Sequence, residues 1–191
     1  MKRIITTAAC SLGVLALTGA VAWAVSLAPI SQVSIAGAKL GMSAAAVKTA
    51  VGGSVQKGRG TVDNPGQPED YARLAFPKRK VAAYFLDGTD KAIIVTTWNK
   101  AYRTAAGVGP CSTLAQVKAV YRSALKPSKH AIVNGVVFGY RVGKNLFFAF
   151  DARPPTPSPT VTAVGLYNGN APSAANSEGL AGFVTQSETN C

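Results

Sequence analysis

The sequence predicts an α+β fold in which two tandem repeats, each a short helix followed by antiparallel strands, form a curved sheet with the helices on one side. Residues 40–48 have the pattern of a helix start, and a series of predicted strands follows them. Residues 110–118 have a similar pattern and precede a second series of strands. A segment that recurs along a chain indicates two copies of one supersecondary unit. We therefore place the first repeat at residues 36–102 and the second at residues 103–191.

The helix of each repeat is predicted from an N-cap residue and from apolar residues at helical spacing. Ser43 precedes Val47 and Val51 in the first repeat, and Thr113 and Gln116 form a capping box in the second. Helices of about two turns are unstable in isolation, so we expect both to dock on a sheet.

Three strands follow each helix in this prediction. Their segments are rich in β-branched and aromatic residues, and turn residues such as Asp87-Gly88 separate them. The predicted strands are residues 73–76, 81–86 and 92–98 in the first repeat and residues 136–142, 146–150 and 160–167 in the second.

Longer connections separate some of these elements. Residues 57–70 and 169–179 are polar and contain Gly, Pro, Ser and Asn, which is typical of mobile loops. Residues 152–160 carry prolines that favour an extended protrusion, either a recognition element or a tolerated long loop.

The first 24 residues have the pattern of an export signal. Lys2 and Arg3 precede an uncharged apolar stretch, and Ala-Trp-Ala at positions 22–24 fits the pattern before a signal-peptidase cleavage site. The stretch also approaches the roughly 20 residues that span a bilayer, so an uncleaved anchor is the alternative. We expect residues 1–24 to be a signal peptide or anchor, and the protein to be secreted or held in the extracytoplasmic cell envelope.

The cysteines agree with export. Cys10 leaves with a cleaved signal, and Cys111 and Cys191 then remain as the pair expected to form a disulfide in an oxidising compartment. A bridge that closes a loop of about 80 residues stabilises a fold by roughly 4 kcal/mol.

The chain is strongly basic, with 20 Lys and Arg against 8 Asp and Glu and a net charge of +12. Outside the cytoplasm such a surface favours anionic wall polymers, lipid headgroups or acidic proteins as partners. Nucleic acid is not expected, because no aromatic-basic recognition motif is present. The densest cluster, Lys78-Arg79-Lys80, is interpreted as a solvated turn after Pro77, with a binding patch as the alternative.

The sequence offers little for catalysis. His130 is the single histidine, and it stands in a polar stretch without a nucleophile arrangement. One histidine and two distant cysteines also fall short of the usual metal-ligand sets. We therefore expect no enzyme activity, no metal and no cofactor.

Two short motifs resemble a known family. Gly41-Met42-Ser43 and residues 103–118 are similar to the repeat unit of β-lactamase-inhibitor-protein-like domains, whose fold is shared with small outer-membrane-assembly lipoproteins. The resemblance covers roughly residues 36–167. It implies a curved sheet surface on which aromatic residues hold a partner enzyme, without implying that the partner is a β-lactamase. The acidic loop residue that such inhibition needs is not assigned by these motifs.

Two functions are consistent with these features. The first is an exported module that binds or inhibits a protein partner through its curved sheet face. The second is a cell-envelope structural or assembly factor that associates with anionic wall or membrane components. The residues expected to hold a protein partner are Tyr84, Trp98, Arg141, Phe147 and Tyr167.

Overall fold

The computed structural model describes residues 30–62, 69–86, 88–132, 135–150, 159–167 and 191, and the fold within them is α+β. Two short helices accompany eight strands. The elements are α1 (Ala44–Val51), β1 (Gln56–Val62), β2 (Glu69–Phe76), β3 (Val81–Leu86), β4 (Ala92–Thr97), α2 (Leu114–Tyr121), β5 (Leu125–Ile132), β6 (Gly135–Val142), β7 (Leu146–Phe150) and β8 (Val161–Tyr167). The signal or anchor predicted at residues 1–24 and the loop predicted at residues 169–179 lie outside the described residues.

All eight strands belong to one open antiparallel sheet with the order β1-β2-β3-β4-β8-β7-β6-β5. Each half of the described chain is a helix followed by a four-stranded meander, and the halves meet where β4 pairs with β8. The predicted α+β class and antiparallel sheet are confirmed. Within the described residues, neither helix has the length and apolar composition that crossing a membrane requires.

The prediction of three strands in each half is wrong, because the first strand of each meander was missed. β1 and β5 are the two edge strands of the sheet, and β1 lies in a segment predicted to be a loop. β1 contains Gly58 and Gly60, and β5 contains Pro127 and two lysines. Edge strands tolerate such residues, since one side of the strand needs no ladder partner. Their composition therefore resembles that of a loop.

The two predicted helices are confirmed together with their caps. The Ala46 amide donates to Ser43 Oγ (3.2 Å), and the Gln116 amide donates to Thr113 Oγ1 (3.2 Å). The capping box is complete, because the Thr113 amide donates back to Gln116 Oε1 (2.8 Å). These bonds satisfy amides that the first turn of a helix leaves without a helical partner.

The chain enters both helices with the same backbone geometry. Gly41 has a φ of 79° and its amide donates to Ala92 O (2.7 Å), while Cys111 has a φ of 70° and its amide donates to Val161 O (2.8 Å). A second bond runs in the opposite direction in each half. The Ala92 amide donates to the backbone oxygen of the residue after Gly41, and the Val161 amide donates to the backbone oxygen of the residue after Cys111 (2.8 Å in both). Left-handed φ is costly for a residue with a Cβ atom, so Cys111 occupies a position that suits glycine.

The main core lies between the sheet and the helices. Both helices contribute to it, through Val47 and Val51 of α1 and Val117 of α2. Phe148 and Phe150 of β7 point into the same core, as the alternation of side chains along a strand requires. Helices that share one cluster cover the same face of the sheet, which leaves the opposite face for a second, smaller cluster.

Candidate functional site

The second cluster contains most of the residues predicted to hold a protein partner. Tyr84 of β3, Phe147 of β7 and Tyr167 of β8 lie in it, and Trp98 packs against it. Arg141 of β6 pairs across the strands with Phe147 and donates from Nη1 to Tyr167 Oη (3.4 Å). The structure therefore brings the five residues to the face of the sheet opposite the helices.

Three of these five side chains are buried. Tyr84, Phe147 and Tyr167 are 5%, 1% and 3% exposed, whereas Trp98 and Arg141 are intermediate. A side chain that anchors a partner must be accessible in the free protein, so the expectation of exposed anchors is corrected for these three. A binding role for Trp98 and Arg141 stays a prediction.

Small residues lie around the aromatic rings of this face. Ala82, Ala149 and Ala163 belong to the second cluster, and Gly139 lies beside it on β6. The Phe147 ring occupies the space where a Cβ atom on Gly139 would stand. Phe147 also meets Tyr167 edge to face, with ring centroids 5.9 Å apart. The register of neighbouring strands, and not alternation within one strand, places these large rings beside small residues.

A guanidinium group extends the cluster toward the β1 edge. Arg73 of β2 pairs with Tyr84 of β3, and its Cζ atom lies 5.7 Å from the centroid of the Tyr84 ring. Arg141 pairs in the same way with Phe147 in the other half of the sheet. Each half thus places an arginine of its second strand opposite an aromatic residue of its third.

In the described part of the chain, the turn between β2 and β3 carries the most concentrated exposed charge. Lys78, Arg79 and Lys80, which we call the basic turn, are all exposed, as predicted for a solvated turn. Residues Pro77–Arg79 form a 3₁₀ turn, and Lys80 has a left-handed φ of 53°.

Hydrogen bonds hold the basic turn against the end of β4. The backbone oxygen of Lys80 accepts from the Trp98 amide (3.1 Å) and from Thr97 Oγ1 (2.8 Å). The backbone oxygen of Arg79 accepts from Asn99 Nδ2 (2.9 Å). The backbone of Trp98 is therefore fixed beside the basic turn, an association that the sequence did not reveal because 18 positions separate Lys80 from Trp98 along the chain. The available signal in the sequence was the length of the β3–β4 hairpin, because antiparallel pairing of these strands brings the residue before β3 beside the residue after β4.

Cys111 and Cys191 lie within disulfide-bonding distance, with Cα atoms 5.5 Å apart. The pairing is the one expected from the two cysteines that follow the predicted signal segment. It ties the entry of α2 to the last residue of the chain.

No arrangement for metal or acid–base chemistry emerges in the described part of the chain. Among the residues described, no three His, Cys, Asp or Glu side chains come together as a metal site would need. The side chain of His130 lies outside the described part. The Asp90 carboxylate has a structural role, since its Oδ1 accepts from the Ala44 amide at the start of α1 (2.8 Å).

Comparison with known proteins gives a fold-level likeness at most. No protein-family model matches the chain, and no curated protein matches it. Among solved structures, the chain is similar to the uncharacterized protein yfeY from Escherichia coli, with a TM-score of 0.49 and 8% sequence identity over 73% of this chain and 99% of that chain. A likeness of this strength transfers no function. The resemblance to β-lactamase-inhibitor-protein-like domains therefore stays a prediction.

Proposed function

We propose that this protein is an exported cell-envelope factor that associates with anionic wall or membrane components through its basic surface. The observation that carries the proposal is the contrast between the two candidate surfaces. The aromatic face is largely buried, whereas cations are exposed on edge strands, helices and turns. Exposed cations in the described part include Lys39, Lys57, Lys78, Arg79, Lys80, Lys91, Lys118, Arg122, Lys126 and Lys144.

The described residues offer few acids to neutralise these cations. Asp90 is the exposed acid among side chains that the structure describes, and it caps α1. A surface of one sign attracts polyanions over a distance set by the ionic strength, about 8 Å at 0.15 M salt and about 3 Å at 1 M. The attachment is electrostatic in this proposal and involves no enzyme activity.

The fold supplies a rigid support for such a surface. We infer that the chain arose by duplication of a helix and four strands, because the element order, the left-handed residue before each helix and its pair of hydrogen bonds recur. Two meanders that share one sheet bury more apolar area than either does alone.

A second candidate is capture or inhibition of a protein partner through the sheet face opposite the helices. The half-buried positions of Trp98 and Arg141 favour it, since Trp and Arg are frequent interface anchors. The buried state of Tyr84, Phe147 and Tyr167 leaves this candidate a smaller surface than the sequence predicted.

Fractionation of cells that produce the protein tests the proposal. We expect the chain in the envelope fraction at low salt and in the supernatant after a wash at about 1 M salt, because screening removes the attraction. If the signal is cleaved after Ala24, the measured intact mass is that of a chain that begins at Val25. Such cleavage leaves the buried Ile30 in place.

Two results would contradict electrostatic attachment. A protein that stays in the culture fluid at every salt concentration has no envelope affinity. A protein that keeps Met1 and leaves the membrane only with detergent is anchored by its N-terminal segment.

A further inference from the structure

We propose that the basic turn and Trp98 form a docking site for the surface of an anionic phospholipid bilayer. The inference rests on the proposed function and assigns it a site and a ligand class. The site lies at the end of the sheet where β2 turns into β3 and β4 ends. Its partner is a layer of phosphate headgroups above an apolar interior.

The backbone of the site is fixed before any ligand arrives. Lys80 O accepts two hydrogen bonds from the end of β4, and Arg79 O accepts a third from Asn99. Asn99 is itself held, because its amide donates to Thr97 Oγ1 (3.1 Å) and its Oδ1 accepts from the Ala101 amide (3.0 Å). A rigid turn loses little backbone entropy on binding, so this entropy cost offsets little of the electrostatic binding free energy.

The charge of the site is positive and accessible. Lys78, Arg79 and Lys80 are exposed, and the described residues provide no acidic side chain that pairs with them. A cation near an anionic lipid surface contributes about 1 kcal/mol. Three cations at consecutive positions therefore raise partitioning by on the order of 100-fold at low salt.

Trp98 favours a bilayer over a soluble polyanion. Its side chain is half-buried against the second cluster, so part of the indole remains exposed, and its backbone amide is hydrogen-bonded to Lys80 O in the basic turn. An indole ring is amphipathic and is enriched where apolar chains meet headgroups. A phosphate polymer offers the cations the same charge and gives the indole no apolar layer.

Vesicle binding with intrinsic fluorescence tests the site. The chain has two tryptophans, Trp23 and Trp98, so cleavage after Ala24 leaves Trp98 as the one reporter, and Trp23→Phe serves the same purpose in the uncleaved chain. The probes are vesicles of equal parts phosphatidylglycerol and phosphatidylcholine, vesicles of phosphatidylcholine alone, and a soluble poly(glycerol phosphate). We expect binding and a blue shift of Trp98 emission with the first probe, and neither with the second.

Two matched variants separate the site from overall charge. The site variant carries Lys78→Gln, Arg79→Gln and Lys80→Asn, where asparagine tolerates the left-handed φ of position 80. The control variant carries Lys39→Gln, Lys91→Gln and Lys144→Gln at exposed positions elsewhere, with the same change in net charge. We expect vesicle partitioning to fall on the order of 100-fold in the site variant and by about tenfold or less in the control. Thermal unfolding of both confirms that they are folded.

Each other outcome overturns the inference in a recognisable way. Equal losses in the two variants, or binding without a shift of Trp98 emission, would show that overall charge and not this site holds the protein, and the proposed function would stand. Binding to the phosphate polymer but not to vesicles would replace the bilayer with a wall polymer. Binding to neither anionic probe would remove both the site and the proposed function.

Discussion

Replacing Phe147 with alanine is expected to lower the free energy of unfolding by about 3–5 kcal/mol, the cost of truncating a buried phenylalanine. Phe147 is 1% exposed, and its ring packs over Gly139 and against Tyr167. Urea unfolding of the purified protein measures the change. Phe148→Ala, on the neighbouring residue of the opposite face, should have a comparable effect, because Phe148 is also fully buried.

Two further variants show whether the second cluster is a core. Gly139→Ala should destabilise by about 1–3 kcal/mol, because the new Cβ atom would collide with the Phe147 ring and lie 2.6 Å from Phe148 O. Trp98→Ala should cost less than Phe147→Ala, since Trp98 is only half-buried. If Phe147→Ala leaves the unfolding curve unchanged and abolishes the binding of a protein partner, this face is a recognition surface and our account of it is wrong.

Loss of the disulfide is the second large effect we expect. Cys191→Ser should lower the free energy of unfolding by about 4 kcal/mol, because the bridge spans 80 residues and restricts the unfolded chain. Chemical unfolding of the variant and of the oxidised parent measures the difference. Peptide mapping without reduction should find the Cys111–Cys191 pair, and alkylation of both thiols in the unreduced protein would contradict it.

The backbone at Cys111 allows a matched comparison within the same experiment. Cys111→Ala and Cys111→Gly both remove the bridge, but only glycine relieves the left-handed φ of 70°. We expect Cys111→Gly to be about 1 kcal/mol more stable than Cys111→Ala. Equal stability of the two variants would mean that the left-handed backbone is not retained once the bridge is absent.

The sequence was sufficient for the helices and the inner strands, because their signals are local. Ser43 and Thr113 cap the helices as predicted, and β3 and β7 have the predicted bounds. The edge strands β1 and β5 were missed since their polar, Gly- and Pro-containing composition is tolerated at an edge. Composition does not reveal which strand will be at the edge of a sheet.

The candidate site was predicted less completely than the fold. Tyr84, Phe147 and Tyr167, named as candidates from the sequence, lie in one cluster on one face, and their binding role stays a prediction. The contacts of Phe147 with Gly139 and Tyr167 depend on the register between strands, which the sequence does not show. The contact of the basic turn with Trp98 is likewise a product of strand pairing.

Titration of isolated native envelopes with the purified protein at graded salt concentrations tests the central claim most directly. If cations hold the protein, the logarithm of the association constant falls linearly with the logarithm of salt concentration, and the site variant has a shallower slope than the parent. An association constant that does not change between low and high salt, together with loss of binding in Trp98→Ala alone, would contradict electrostatic attachment and favour capture of a protein partner.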